Sequence, residues 1–161
     1  VLQNRPPGAQ DLGRLKYTRA VVEETLRLYP PAYKFTRLAR VADQIGGYDI
    51  PAGSVIVLSP WVTQRHPGIW KDPDIFSPDR FLDSGISDLP RFSYFPFGGG
   101  PRLCAGRSLA LMEQHIVLAR LMQRYRLKLA TDAEIQPTAG LTLQPDQDVL
   151  VQLDLANVNA E

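Results

Sequence analysis

The chain contains a single cysteine, Cys104, and its neighbours are the residues that could make it reactive. It lies in Phe97-Gly98-Gly99-Gly100-Pro101-Arg102-Leu103-Cys104-Ala105-Gly106, which runs directly into a long apolar stretch. A lone cysteine is most often a small buried hydrophobe. Three features here favour a different role. A helix starting at Ala105 aims free backbone N–H groups and the positive end of its dipole at Cys104, which favours the thiolate. Glycines before and after it allow close backbone approach to something flat or bulky. Arg102, a cation two residues earlier, can pair with an anionic group on the same ligand.

Several chemistries compete for such a site. A phosphate-binding loop needs G-x-x-x-x-G-K-[ST], but Pro101 stands at the first glycine and Arg107 at the lysine. Zinc needs more ligands than one Cys with His66 and His115 far off in the chain. A nucleophilic cysteine needs a nearby base, and His115 lies about 16 Å along a regular helix. A haem thiolate needs one Cys only.

The elements that must position this segment read as follows. Leu12 to Leu28 has helical character, with Asp11 as N-cap and Pro30-Pro31 as the stop. Tyr48 to Ile50 and Ser54 to Leu58 read as strands around Pro51-Ala52-Gly53, a turn with Pro at its second position. Ser59 offers an N-cap and Pro60 a first helical position, so Trp61 to Arg65 reads as a short helix. Pro67 to Pro101 is irregular but rich in aromatics, which a disordered linker is not. Ala105 to Tyr125 is the clearest helix, apolar around most of its circumference and therefore expected to be buried. Short strands are expected at Arg126 to Leu129, Leu141 to Leu143 and Val149 to Leu153. The expected fold class is mainly α with small β-sheets, an α+β arrangement.

With these residues in place, a resemblance becomes specific. Phe97 to Gly106 matches F-x-x-G-x-R-x-C-x-G, the haem-binding signature of the cytochrome P-450 family, at every fixed position. Glu24-Thr25-Leu26-Arg27 resembles the family's E-x-x-R helix motif and is followed by Leu28-Tyr29-Pro30-Pro31. Phe76-Ser77-Pro78-Asp79-Arg80-Phe81 resembles its P-E-R-F-like segment, with Asp79 for the commoner Glu. The resemblance covers about Leu12 to Leu153. It implies haem b as cofactor, Cys104 as the axial ligand of its iron, and Arg102 as a propionate contact. Arg37 is implied as a second propionate contact, with Arg40 as the alternative. Phe97 is implied to shield the sulfur, and Gly98 and Gly106 complete the cofactor-binding set. Glu24, Arg27 and Arg80 are implied to form a buried cluster that supports the site structurally. Gln64 and His66 depart from the family's H-R-D-P-like pattern, so no role carries over to them, and Glu113 reads as part of a solvated helix face.

The resemblance further implies a monooxygenase that inserts one oxygen atom of O2 into a small lipophilic substrate, with electrons from a ferredoxin or a flavoprotein reductase. Peroxide-driven hydroxylation, isomerisation and a non-catalytic haem-binding domain are the competing readings. The chain begins at Val1, Val1 to Asp11 reads as loop, and nothing matches the family's oxygen-activating helix. It is therefore read as the C-terminal, haem-binding portion of one larger domain, inactive by itself and without catalytic residues of its own. Bulk properties constrain less. The formal net charge of +1 gives no global field for nucleic acid. No apolar run approaches the roughly 18 residues that span a bilayer. One cysteine forms no intrachain disulfide, in keeping with a reducing, cytoplasmic setting.

Overall fold

The structure is a computed structural model that describes residue 2 and residues 5–82 and 86–156. Of the loop expected at Val1 to Asp11, positions 1, 3 and 4 lie outside the described residues. The helix expected from Leu12 is two elements. A 3-10 turn at Ala9–Arg14 precedes helix α1 at Lys16–Leu28. Asp11 does not cap α1, because its carboxylate is already engaged by the Gly8 N–H and the Arg5 guanidinium. Helix α1 ends at Tyr29, before Pro30.

Among the described residues the strands form four two-stranded antiparallel sheets. Strand β1, Phe35–Leu38, pairs with β4, Val55–Leu58. Strand β2, Asp43–Ile45, pairs with β3, Tyr48–Ile50, across a Gly46-Gly47 turn in which both glycines take positive φ. The two strands expected around Pro51 therefore do not pair with each other. Their turn is also shifted by one residue: the Pro51 carbonyl accepts from the Ser54 N–H at 3.2 Å, so Pro51 is its first residue and Gly53, at φ 84°, its third. Helix α2, Pro60–Thr63, is capped by Ser59, whose hydroxyl accepts from the Val62 N–H. Near the C-terminus β5, Tyr125–Leu129, pairs with β8, Val151–Leu155, and β6, Pro137–Ala139, pairs with β7, Leu143–Pro145. Leu141, expected in a strand, is instead a fully exposed turn residue.

Helix α3 runs from Arg107 to Arg124 with Gly106 as N-cap, two residues later than expected. It is not enclosed. Only His115 and Ala119 are buried, and Leu109, Val117, Leu121 and Met122 are exposed. The expectation of a buried helix fails because the elements present, chiefly α1, cover one stripe of it. His115 is on that stripe, against Glu23 and Arg19 of α1.

Among its described residues the Pro-rich stretch has two 3-10 turns, Pro78–Phe81 and Gly100–Arg102, and otherwise no regular structure. Its aromatics hold it together. Phe81 and Tyr94 meet edge-on at 5.1 Å, and both pack on Trp70, which is buried. The Tyr94 hydroxyl donates to Glu23 Oε2 at 2.6 Å. Burial first, then the neighbouring Glu23 charge, pushes its ionisation far above the ordinary tyrosine range, so it stays a donor.

An irregular segment has no ladder to satisfy its carbonyls, and here Arg27 does so. The guanidinium is fully buried and uses all five of its N–H donors. Two go to Glu24, at 2.7 and 2.8 Å. The others reach the carbonyls of Gln64, Pro73 and Ile75 at 2.8, 2.7 and 3.1 Å. Glu24 also accepts from the Ser77 N–H at 2.8 Å, and Arg80 approaches it at 3.4 Å.

Two predictions follow from this packing. Arg27→Met strips the buried Glu24 carboxylate of its two strongest donors and takes a donor from each of three carbonyls, and should cost about 3–5 kcal/mol in chemical denaturation. Arg80→Met, at a partly exposed and longer contact, should cost about 1 kcal/mol or less. The second prediction concerns pH. Burial lowers the ionisation of His115 below its ordinary 6.5. Between the two values the unfolded chain holds more protons than the folded one. Stability should thus be full above about pH 6.5 and fall as pH drops through that value. His115→Leu should remove this phase and keep the lower one due to Asp11, which lies between 3.8 and about 2.

Candidate functional site

The site is built on a tight loop between the aromatic cluster and α3. The Gly98 N–H donates to the Phe95 carbonyl at 2.9 Å, and the Cys104 N–H donates to the Phe97 carbonyl at 3.0 Å. The second bond closes residues 97–104 into a hairpin-like turn that fixes where the cysteine stands. Gly98 sits at φ 76°, a region in which any side chain is strained. Cys104 itself is a free, exposed thiol three residues before the first residue of α3. The eighteen-residue helix presents its N-terminal end to this sulfur, where its dipole favours negative charge.

Cys104 opens into a cavity of about 640 Å³ bounded by the loop, by strand β1 and by one side of α1 and α3. That volume lies within the range of small-molecule and cofactor sites. Phe97, Gly98, Arg102 and Cys104 line it from the loop, Phe35 and Arg37 from β1, and Leu26 from α1. Alternation along β1 puts Phe35 and Arg37 on its less exposed face, and the β1–β4 ladder sets Arg37 opposite Ile56. The Phe35 ring meets Phe95 edge-on at 5.9 Å, which ties the strand to the start of the loop.

Five of the candidate residues therefore share one cavity wall: Cys104, Arg102, Arg37, Phe97 and Gly98. Gly106 and Arg40 are not on it. Gly106 stands behind the sulfur, where a Cβ would lie 3.8 Å from Cys104 Sγ, an ordinary contact. The lining is mostly hydrocarbon, with two cations. Among the described residues the Arg102 side chain has no hydrogen-bond or ionic partner. The Arg37 guanidinium donates only to the carbonyl of its neighbour Thr36, at 2.9 Å. Such an arrangement can hold a flat apolar ligand that carries carboxylates at its edge and a thiophilic centre in its middle. Glu24, Arg27 and Arg80 lie outside the cavity, in the cluster described above. Among the described residues no group of His, Cys, Asp and Glu could hold a metal ion by itself.

Phe35, part of the Ala32 to Thr36 segment read from the resemblance as substrate-facing, belongs to a strand whose pairing with β4 is non-local. The sequence reading missed one contributor. Gln64 is completely buried, donating to the Leu26 and Arg27 carbonyls at 3.1 and 2.9 Å and accepting from the Phe95 N–H at 2.9 Å. Its only local signal was its departure from a family pattern.

Known proteins are similar to this chain in sequence and in fold. Cyclooctatin synthase of Streptomyces melanosporofaciens is 38% identical over 143 residues, which cover 89% of this chain and 31% of that protein. The cyclooctat-9-en-7-ol 5-monooxygenase of the same organism is 36% identical over 143 residues, covering 89% of this chain and 29% of its own length. The haem domain of cytochrome P450DA superposes with a TM-score of 0.89 at 28% identity, over 96% of this chain and 34% of that one. The chain thus spans about a third of the length of the proteins it matches. The sequence profile of the cytochrome P-450 family matches residues 1–152, and the chain belongs to that family.

Proposed function

We propose that this chain supplies one wall of the haem pocket in a haem-thiolate monooxygenase, in which Cys104 would hold the iron of haem b. The observation that carries the reading is the gathering of one thiol and two guanidinium groups on one apolar cavity wall. The donor set fits the group. A single soft sulfur suits iron, and iron protoporphyrin needs no further ligand from this side. Arg102 and Arg37 would hold the two propionates, since a guanidinium matches a carboxylate through paired N–H donors. When bound, the haem would supply the activation of O2, which no amino-acid side chain performs.

The chain's own residues would act around it. Cys104 would hold its sulfur where the Phe97 carbonyl fixes its backbone, and the dipole of α3 would favour the thiolate over the thiol. Phe97 would keep water from the sulfur and lower the polarity around the bond it makes. Glu24, Arg27 and Arg80 would act as structural supports, at a distance from the chemistry.

The reaction proposed for the complete polypeptide inserts one atom of O2 into a lipophilic substrate. The other atom takes up two protons and leaves as water, and two electrons arrive from a ferredoxin or a flavoprotein reductase. A relative named for the 5-monooxygenation of cyclooctat-9-en-7-ol supports this class. No residue of this chain is assigned to the oxygen-activating side. The 161 residues alone are therefore proposed to be inactive. Among the described residues no helix is long and apolar enough to cross a membrane.

The ferrous–carbonyl spectrum of the complete protein tests the reading. Wild type should give the strongly red-shifted Soret band of a thiolate ligand, and Cys104→Ser should lose it. A histidine-type band in folded wild type would overturn the assignment. Arg102→Leu and Arg37→Leu should keep the band position but weaken haem retention by roughly 10-fold each, the loss of one charged hydrogen-bond pair. Haem transfer to an acceptor globin measures that retention.

A further inference from the structure

We infer that Gln64 is a positioning residue for the Cys104 loop, acting through the backbone of Phe95. The inference rests on the reading of Cys104 as haem ligand. It begins with burial. Gln64 has no exposed surface, yet it is neutral, polar and not part of the Glu24–Arg27 ion pair. Buried amides persist where their hydrogen bonds are complete. Those of Gln64 are complete in a directional way. Its Nε2 donates to the carbonyls of Leu26 and Arg27, in the last turn of α1, which lack helical partners. Its Oε1 accepts from the Phe95 N–H. Its own carbonyl accepts from Arg27 Nη1. One side chain thus joins the C-terminal end of α1 to the first residue of the loop.

From Phe95 the path to Cys104 is short and crosses two backbone hydrogen bonds. The Phe95 carbonyl accepts from Gly98, and the Phe97 carbonyl accepts from Cys104. Between these two bonds the chain makes the positive-φ step at Gly98. A loop with no regular ladder has few other devices to fix its origin. If the Phe95 N–H loses its acceptor, the loop keeps its internal bonds but is free to shift as a unit against α1 and against Phe35, which shares the cavity wall.

The chemistry of the side chain decides which replacements work. A neutral imidazole has one N–H donor and one acceptor nitrogen, so Gln64→His can span α1 and Phe95 with one bond on each side. Gln64→Leu fills similar space and does neither. Gln64→Glu accepts from Phe95 but places an anion against two carbonyls.

The test uses the complete protein, with and without haem. Without haem, amide hydrogen exchange is followed at Phe95 and Cys104 and, as reference, along Ala20 to Leu26 of α1. Gln64→Leu should raise exchange at Phe95 and Cys104 by about 10-fold and leave the reference amides at their wild-type rates, whereas general destabilisation moves all of them. With haem, the same variant should lose part of the thiolate-type carbonyl band and retain haem about 10-fold less well, the scale of outer-shell effects on metal sites. Gln64→His should restore both readouts. Unchanged exchange at Phe95 and Cys104 in Gln64→Leu, or equal acceleration along α1, would overturn the inference. Should Gln64→Leu fail to fold, Gln64→Met takes its place, since it has no amide for Phe95 or α1: Phe95 and Cys104 exchange above that of Gln64→His supports the inference, and equal rates overturn it. A wild type without a thiolate band would remove the haem reading, and the exchange comparison would then decide the positioning role by itself.

Discussion

The arrangement depends on one buried guanidinium. Arg27 has no exposed surface and each of its five donors has an acceptor. Removing such a charge from water costs several kcal/mol, and only complete geometry offsets it. The partners explain why the fold accepts that cost. Three of them are carbonyls from Gln64 to Ile75, a stretch with little regular structure, and a buried carbonyl without a partner is itself costly. Glu24 neutralises the cation and extends the same function, accepting from the Ser77 N–H and drawing in Arg80. The ion pair is best understood as the substitute for a missing β-ladder. Its energy as an isolated pair matters less than the segment it lets fold without one.

That segment in turn leads to Cys104. The aromatic cluster of Trp70, Phe81 and Tyr94 gives it a core, and Tyr94 is pinned to Glu23, next to Glu24 on α1. From Tyr94 the chain reaches Phe97 in three residues and turns at Gly98. Cys104 is therefore referenced to α1 through two kinds of contact: apolar packing, which sets depth, and hydrogen bonds, which set direction. A thiol intended only to fill space would need the first and not the second.

What could be read in advance follows from the range of the forces. The loop around Cys104, the Ser59 cap and the end of α1 before Pro30 are local, and residue type with spacing was enough to place them. Arg102, Phe97 and Gly98 share the cavity with Cys104 because they share its loop. Arg37 needed a strand, and that strand exists only through pairing with residues some twenty positions away. The same non-locality hid the strand that carries Phe35 and misassigned the turn at Pro51, whose register is set by the β1–β4 ladder extending through Ala39 and Ser54. Gln64 was invisible for another reason: a buried amide looks like a surface amide until its partners are known. Helix α3 misled in the opposite sense, because apolar composition reports what a helix can bury, and only α1 and its neighbours are present to cover it.

The cavity combines two features that a folded chain would not maintain for packing alone. Its wall is largely hydrocarbon, yet two guanidinium groups border it without carboxylate partners among the described residues. Cations at the edge of a low-polarity surface gain from an anion more than exposed cations do, since screening by water is weaker there. A planar apolar ligand with two carboxylates would cover the hydrocarbon and pair both cations in a single event. Any ligand that binds only the folded chain adds its binding free energy to stability. The loop, β1 and the end of α1 form the wall together, so ligand binding and the order of these three elements are one coupled equilibrium.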